Sequence, residues 1–313
     1  MRENKVVYGL IGYGGMGRWH TEILFNVSEA VIGGIYDIKE EKREEAKEKG
    51  FFVYETEEAM LADPDIDVVL IATPNDCHKP IAIRAMHAGK NVISEKPVTL
   101  SSADLLEMEN AAKETGKLLT VHQNRRWDDD FLIIKKLVEE QKLGHVFRIE
   151  SRVHGSRGIP GDWRKEKVHG GGMVLDWGVH LLDQILYMYG DRKIETVYAS
   201  LTNVTNQEVD DGFTAILTFE GGTEVLVEVG TNNYISLPRW YVLGEDGTAV
   251  IRGWQLNGES IRKTGRTEET VVPVKTAAGL TKTMAPRREE TIVKEDLPKV
   301  SGDIADFHRN VVA

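Results

Sequence analysis

Three polar residues have the types and spacings needed to move a proton on a bound small molecule. Lys96 lies in the segment SEKPVTL, and Asp176 and His180 lie in GGGMVLDWGVHLLDQ. A histidine titrates near neutrality and can act as a general base, while a lysine ammonium can stabilise charge that develops on an oxygen. Asp176 and His180 are four residues apart, so on an α-helix they share a face and the carboxylate can orient the imidazole. These three residues are therefore the catalytic candidates.

The same residues also admit simpler interpretations. His180 fits a buried histidine whose polar atoms are satisfied by its neighbours, and Lys96 fits a surface lysine in front of a proline. A metal site with His169, Asp176 and His180 as ligands is a further alternative. We predict no metal, because the redox chemistry indicated by the rest of the sequence does not need one.

A glycine-rich turn opens the chain, in the stretch LIGYGGMGRWH. Gly12, Gly14 and Gly17 form the pattern G-x-G-x-x-G between an apolar run and a helix-like stretch. In such a turn the first glycine permits the tight bend, the second lets the backbone approach a pyrophosphate, and the third lets the helix pack on the strand. The free N–H groups at the helix start favour phosphate. The turn predicts a dinucleotide-binding site.

An acidic residue stands where this type of site needs one. Asp37 closes the apolar run AVIGGIYD, 20 residues after Gly17. Its carboxylate would accept hydrogen bonds from the adenosine ribose and repel a 2′-phosphate, so we expect NAD rather than NADP. Lys39, Lys42 and Arg43 lie close by and could weaken that preference.

The elements that position these residues follow two patterns. Up to about residue 122, short apolar runs alternate with Ala/Glu/Lys-rich stretches that end in glycine, which indicates βαβ units and a parallel sheet covered by helices. After residue 123, alternating strands are joined at hairpin signals such as Gly221-Gly222 and Asp246-Gly247. We predict an α/β protein with a dinucleotide-binding Rossmann domain over 1–122 and an α+β domain with an open, mostly antiparallel sheet over 123–313.

Composition excludes several classes of function. The 313 residues carry a net charge of −11, so nucleic acid and membrane surfaces are not expected partners. The chain has one cysteine, Cys77, which excludes a disulfide within the chain and a cysteine zinc cluster and suits a reducing compartment. The N-terminus has no long apolar region of a signal peptide, and we expect a cytoplasmic protein.

Taken together, the motifs resemble the Gfo/Idh/MocA oxidoreductases. The order G-x-G-x-x-G, then E-K-P, then D-x-x-x-H after a glycine-rich turn is similar to that family over nearly the whole chain, and QNRRWDDDF and PGDWR resemble its scyllo-inositol and sugar dehydrogenase branch. The resemblance implies a small sugar or polyol substrate and a homodimer or homotetramer formed through the C-terminal sheet. It also implies that the helix beginning in DIADFHRNVVA continues beyond the given chain.

The resemblance also assigns residues. It puts Glu95, Lys96 and Pro97 at the end of the fifth strand, and Thr73, Pro74, Asn75 and His78 in the loop after the fourth, beside the cofactor. Substrate contacts are expected from Lys96, Arg125, Trp163, Asp176 and His180. Cofactor contacts are expected from Gly12, Tyr13, Gly14, Gly15, Met16, Gly17, Asp37, Thr73, Pro74, Asn75, His78, Glu95, Lys96, Gln123, Trp163 and Arg164.

The expected reaction is hydride transfer between a nicotinamide cofactor and a secondary hydroxyl of a sugar or cyclitol. His180 would be the general base, Asp176 would orient it or bind an adjacent hydroxyl, and Lys96 would stabilise the alkoxide. Two alternatives are related chemistry with a retained cofactor, as in a 3-keto-glycoside route, and a sensor that binds the dinucleotide without turnover.

Overall fold

A five-stranded parallel sheet forms the first half of the molecule. The computed structural model describes residues 5–266 and 271–313. The strands lie in the order β2-β1-β3-β4-β5. Their bounds are β1 (Val6–Ile11), β2 (Ala30–Tyr36), β3 (Val68–Ile71), β4 (Asn91–Ser94) and β5 (Leu119–Val121). The accompanying helices are α1 (Gly15–Leu24), α2 (Glu40–Glu48), α3 (Glu57–Ala62), α4 (His78–His87) and α5 (Ser102–Thr115).

Apolar side chains project from both faces of this sheet, as the continuous apolar runs predict. Val69 and Ile71 of β3 belong to the core shared with α3, α4 and α5. Val68 and Leu70 belong to the core on the opposite face, against α1. Successive side chains of a strand point to opposite faces, so a strand covered on both sides must be apolar throughout. The predicted Rossmann arrangement is confirmed.

The predicted strand numbering was wrong by one. Lys96 follows the fourth strand rather than the fifth, and Thr73 follows the third rather than the fourth. The segment 51–55 runs beside β2 but makes only one bridge, between Ile35 and Val53. It therefore stays an isolated contact, and the sheet has five strands.

The second half is an eight-stranded sheet backed by two helices, α6 (Asp129–Glu139) and α7 (Val179–Tyr189). The strand order is β15-β12-β11-β10-β6-β9-β8-β7, in which β6 and β9 are parallel and the other neighbours antiparallel. These strands are β6 (Val146–His154), β7 (Ile194–Thr202), β8 (Gly212–Phe219), β9 (Glu224–Gly230), β10 (Trp240–Gly244), β11 (Gly247–Ile251), β12 (Gly258–Lys263) and β15 (Ile292–Glu295). A separate hairpin pairs β13 (Val274–Thr276) with β14 (Gly279–Thr281).

The two predicted hairpins are present. Gly221 and Gly222 join β8 to β9 with φ values of +90° and +84°, a region that glycine adopts without steric cost. Asp246 and Gly247 lie at the turn between β10 and β11. The inner face of the sheet packs on α6 and α7 around a core that includes Phe131, Leu181 and Trp240.

A final helix, α8 (Ala305–Val312), returns to the first domain. Its Ala305 and Phe307 lie in the same core as Tyr8 of β1 and Ile23 of α1. A helix was expected in this segment, although its packing on the nucleotide-binding domain was not. Among the helices in the described parts of the chain, none has the length and apolar composition to cross a membrane.

Candidate active site

The glycine turn has the geometry that its sequence predicts. Gly12 has φ +97°, and a Cβ there would lie 2.5 Å from the carbonyl oxygen of Ala72. A Cβ on Gly17 would lie 2.1 Å from the carbonyl oxygen of Gly12, so only glycine lets α1 start this close to β1. By contrast, a Cβ on Gly14 or Gly15 would meet no atom within 4 Å. The turn is therefore tight on its inner side and open at the start of α1, where a pyrophosphate would approach.

The Asp37 side chain lies beside the glycine turn and also forms hydrogen bonds that stabilise it. One carboxylate oxygen accepts the backbone N–H of Tyr13 at 2.7 Å, and the other accepts that of Lys39 at 2.8 Å. The Arg43 guanidinium donates to the Asp37 carbonyl at 2.8 Å. The Tyr13 side chain is buried in the core, so only its backbone faces the turn. Met16, near the start of α1, is 39% exposed.

The loop after β3 is fixed by side chains that turn toward protein. The Asn75 amide donates to the Gly170 carbonyl in the second domain at 3.2 Å. The buried His78 ring lies between the carbonyl oxygens of Pro97 (2.9 Å) and Thr73 (3.0 Å). These two residues therefore position the loop, while Thr73 and Pro74 remain accessible along it.

Lys96 joins the two domains across a cleft. It follows β4 and precedes a cis peptide bond to Pro97. Its ammonium donates to the Asp176 backbone carbonyl at 2.8 Å and to the carboxylate at 3.1 Å. The Arg164 guanidinium binds the other carboxylate oxygen at 3.2 Å and lies 4.7 Å from the Trp163 ring. The structure thus brings together four residues that come from three separate segments of the sequence, namely Lys96, Asp176, and the neighbours Trp163 and Arg164.

His180 lies beside this group and is almost completely buried. Its Nδ1 has no hydrogen-bond partner among the described residues. Burial, reinforced by the positive charges of Lys96 and Arg125, holds the pKa of His180 well below its usual value. The ring is therefore neutral at physiological pH, which is the form that a general base must have.

In the described part of the chain, no hydrogen bond joins Asp176 to His180, so the structure does not support the orienting role that was one of the two expected for Asp176. Among the described residues, the Asp176 carboxylate binds Lys96 and Arg164 and not His180. The reason is local: residues Val174–Gly178 form a π-helical turn before α7 begins. A π turn is wider than an α turn, so residues four apart no longer lie directly above one another.

Next to this group, Trp177 contacts both Arg125 and His180. The Arg125 guanidinium stacks 4.1 Å from the Trp177 ring centre and donates to Asp128 at 2.9 Å. Trp177 also meets the His180 ring edge-on, with the ring centres 6.0 Å apart. Gln123 follows β5, and its buried side-chain oxygen has no partner among the described residues. Sequence reasoning missed Trp177, although it lies within the quoted motif.

A second missed feature lies directly behind Lys96. The buried Glu95 carboxylate is 2.7 Å from Nε2 of His20 and 3.0 Å from Nδ1 of His122. His20 in turn contacts His308 of α8 through Nδ1 and Nε2, 3.2 Å apart. The hydrogen bonds from the two histidines hold the pKa of Glu95 well below its usual value, against the opposing effect of burial. We call these four residues the histidine cluster.

The alternative metal set is not brought together. His169 instead lies 3.2 Å from the carboxylate of Asp76. Among the described residues, the group with metal-ligand spacing is His20, His122 and His308.

Comparison with known proteins decides the family. The model of an oxidoreductase family with an NAD-binding Rossmann fold matches residues 6–123, and the GFO/IDH/MocA C-terminal domain matches residues 131–250. The chain belongs to the GFO/IDH/MocA family of oxidoreductases. The predicted family and the two-part α/β fold are confirmed.

Individual relatives agree with this family. An NAD-binding protein from Listeria innocua is 48% identical with a TM-score of 0.93, over 99% of this chain and 91% of that one. The scyllo-inositol 2-dehydrogenase (NADP(+)) IolW of Bacillus subtilis is 28% identical over 98% of this chain and 86% of its own length. The myo-inositol 2-dehydrogenase of Thermotoga maritima is 31% identical over 68% of this chain and 65% of its own length.

The residues present fit the cofactor that a GFO/IDH/MocA Rossmann domain implies. The open space at Gly14 and Gly15, the free N–H groups at the start of α1 and the carboxylate of Asp37 are the donor and acceptor sets for a pyrophosphate and a ribose. Whether the cofactor is NAD or NADP is a finer question that depends on Asp37 and its cationic neighbours.

Proposed function

We propose that this protein is an NAD-dependent dehydrogenase that oxidises a secondary hydroxyl of a sugar or cyclitol to a ketone, and catalyses the reverse reaction. One observation carries the proposal: the Lys96 ammonium, which reaches Asp176 of the second domain, also lies close enough to the neutral, buried His180 to lower its pKa. A base beside a cation is the arrangement that removes a hydroxyl proton and stabilises the resulting oxygen charge.

Each side chain has a distinct task in this mechanism. A bound nicotinamide would supply the acceptor for the hydride of the carbinol carbon. His180 takes the hydroxyl proton on a ring nitrogen, and Lys96 donates a hydrogen bond to the oxygen as it becomes a carbonyl. Asp176 holds the Lys96 ammonium from one side, at 3.1 Å, while Arg164 holds Asp176 from the other, at 3.2 Å.

The substrate class is inferred from the polar character of the cleft and from the relatives. Two of them are inositol dehydrogenases by name. Arg125, fixed flat on Trp177, and Trp163, stacked on Arg164, supply a donor and an aromatic face for a ring that carries several hydroxyls.

For the cofactor we propose NAD ahead of NADP. The Asp37 carboxylate is held at the glycine turn by two backbone N–H groups, and a carboxylate there would accept hydrogen bonds from a ribose and repel a 2′-phosphate. Arg43 lies against the same residue through its backbone carbonyl and is the group that would soften the preference. The Bacillus subtilis relative is named for NADP(+), so the choice must be measured.

The experiment is an initial-rate survey at about 340 nm, where reduced nicotinamide absorbs. NAD and NADP are each tested against inositols, hexoses, pentoses and glycosides. Turnover of one class of polyol, mainly with NAD, is the expected result. Tight NADH binding without turnover of any polyol would contradict the proposal and indicate a sensor or a permanently retained cofactor.

We further propose that the working unit is a homodimer or homotetramer, in the cytoplasm. The edge strand β7 leaves Val197, Tyr198 and Leu201 exposed on the second sheet. Large exposed apolar side chains on one strand favour association, and a second copy of the same sheet is the occupant we propose. Light scattering of the purified chain tests this: Tyr198→Glu with Leu201→Glu should give monomers, and a monomeric parent chain would contradict it.

A further inference from the structure

The histidine cluster has a fixed pattern of protons. With Glu95 ionised, its Oε1 accepts N–H groups from both His20 Nε2 and His122 Nδ1. A neutral histidine carries one N–H, so Nδ1 of His20 and Nε2 of His122 bear lone pairs. His308 Nε2, 3.2 Å from His20 Nδ1, is then the donor in that contact.

This pattern leaves buried nitrogen atoms without hydrogen-bond partners. Nε2 of His122 and Nδ1 of His308 have none within the described residues, although all three rings have 0% exposure. An unsatisfied buried polar atom is costly, and a group of them calls for an ion or a water molecule. All three rings would offer lone pairs rather than protons, so a cation suits them better than an anion.

The spacing of the rings is close to that of a metal site. One ring nitrogen from each of His20, His122 and His308 lies within 4.8 Å of the other two. Nitrogen ligands about 2.0–2.1 Å from a tetrahedral ion are roughly 3.4 Å apart. His20 Nδ1 and His308 Nε2, at 3.2 Å, have that spacing and can both be ligands once the His308 proton moves to Nδ1, while the third ring needs a small movement.

Glu95 supplies the outer support that metal-binding histidines usually have. Such ligands donate their second N–H to a carboxylate, which fixes the tautomer and raises the basicity of the ring. Here one carboxylate does this for two of the three rings. It also leaves a buried negative charge among neutral rings, which a divalent cation would offset.

We propose that His20, His122 and His308 form a binding site for a divalent transition-metal ion of the zinc or cobalt type, with Glu95 as its outer carboxylate. Neutral imidazole nitrogens select such ions over Ca²⁺ and Mg²⁺, which prefer oxygen. The three ligands come from α1, the segment after β5, and α8, so the ion would tie α8 to the nucleotide-binding domain. The proposal does not depend on the proposed reaction.

The test uses the full chain, prepared without a polyhistidine tag and stripped with a chelator. Co²⁺ is titrated in while its visible absorption is recorded, and Zn²⁺ is then added as a competitor. One equivalent of Co²⁺ with a strong low-coordinate spectrum, displaced by Zn²⁺, is expected. His122→Phe and His308→Phe keep an aromatic ring and should each weaken binding by at least about 100-fold.

His145→Gln is the matched control, because His145 is an exposed histidine outside the cluster. It should bind Co²⁺ like the parent chain. No binding by the parent, equal binding by both Phe variants, or an equal loss in His145→Gln would each overturn the proposal. If the Phe variants fail to fold, X-ray absorption of the Zn²⁺-loaded parent decides. About three imidazole nitrogens near 2.0–2.1 Å support the site, and an oxygen-only shell overturns it.

Discussion

Glu95 and Lys96 are neighbours in the chain and lie in opposite environments. Glu95 is 5% exposed and bound by two buried histidines, whereas the Lys96 side chain is 18% exposed and bound to Asp176 across the cleft. Both follow β4, whose final residues are fixed by the parallel sheet. The end of β4 therefore supplies a buried carboxylate, Glu95, on one side and a partly exposed ammonium group, Lys96, on the other.

The energetics of the two sides differ in kind. Removing one partner from a buried, hydrogen-bonded carboxylate leaves unsatisfied groups that cost about 1–3 kcal/mol of the free energy of unfolding. The Lys96–Asp176 pair is partly buried, with 18% and 14% of the two side chains exposed, and Arg164 still binds Asp176 when Lys96 is removed, so we expect a smaller loss of stability there. From this comparison we expect the histidine cluster to contribute mainly to stability and Lys96 mainly to activity.

The largest expected effect is that of removing the proposed general base, His180, which lies on the Lys96 side. His180→Ala should lower turnover by roughly 10²–10⁴-fold, the usual contribution of a positioned general base, while NADH binding stays near that of the parent. Steady-state rates and NADH fluorescence titration measure the two quantities. His145→Gln serves as the control, and a His180→Ala chain with parental turnover would remove His180 from the mechanism.

The next effect belongs to the buried side. Glu95→Gln, measured in chelator-treated protein, should lower the free energy of unfolding by about 2 kcal/mol. The amide has one acceptor oxygen and adds two buried N–H groups, so it cannot replace the carboxylate between the two rings. Denaturant unfolding measures it. Glu109→Gln, at an exposed position of α5, should change little. Equal stability of Glu95→Gln and Glu109→Gln would show that the buried side does not stabilise the fold, and would contradict the contrast drawn between Glu95 and Lys96.

A smaller effect is expected at the far end of the cofactor site. Asp37→Ala should raise KM for NAD by about 10-fold or more, because hydrogen bonds from the ribose to a charged acceptor are lost, and the preference over NADP should narrow. The ratio of kcat/KM for the two cofactors measures this. The exposed Glu44→Ala on α2 is the control. An unchanged ratio in Asp37→Ala would exclude Asp37 as the discriminating residue.

The smallest expected effect is a shift in pH dependence. The His180 pKa is lowered first by burial and then by Lys96 and Arg125, so oxidation should stay fast below pH 6.5 and be lost only as His180 gains a proton. Arg125→Gln removes a positive charge, which raises that pKa and moves the acidic limb of kcat/KM upward by about one pH unit or less.

Arg126→Gln is the matched control for this shift. Arg126 pairs with Asp183 at 2.6 Å, so its charge is offset locally by that carboxylate. An equal shift in both arginine variants would show that the acidic limb does not report His180.

The sequence predicted most of the fold because the fold follows local rules. Apolar runs covered on both faces and the glycines of the first turn have direct signals, and Gly12 with φ +97° has the conformation that its place in the motif requires. The segment around Val53 shows the limit of such signals, because it lies beside β2 and makes a single bridge there. Apolar content does not show how many residues of a segment will pair.

The site was predictable as a set of residues and not as a set of contacts. Lys96, Asp176 and His180 are in one cleft, but a π turn moved Asp176 away from His180 and onto Lys96. The histidine cluster had no sequence signal, because His20, His122 and His308 come from three distant segments. Only the packing of α8 on the nucleotide-binding domain brings them together.

The most direct test of the central claim is Lys96→Met, with NADH formation and unfolding measured on the same preparation. The account predicts a fall in turnover of about 10²–10³-fold, as for the loss of a donor to a developing oxyanion, with a smaller loss of unfolding free energy than Glu95→Gln causes. Parental turnover in Lys96→Met, or a loss of activity that only follows unfolding, would contradict it.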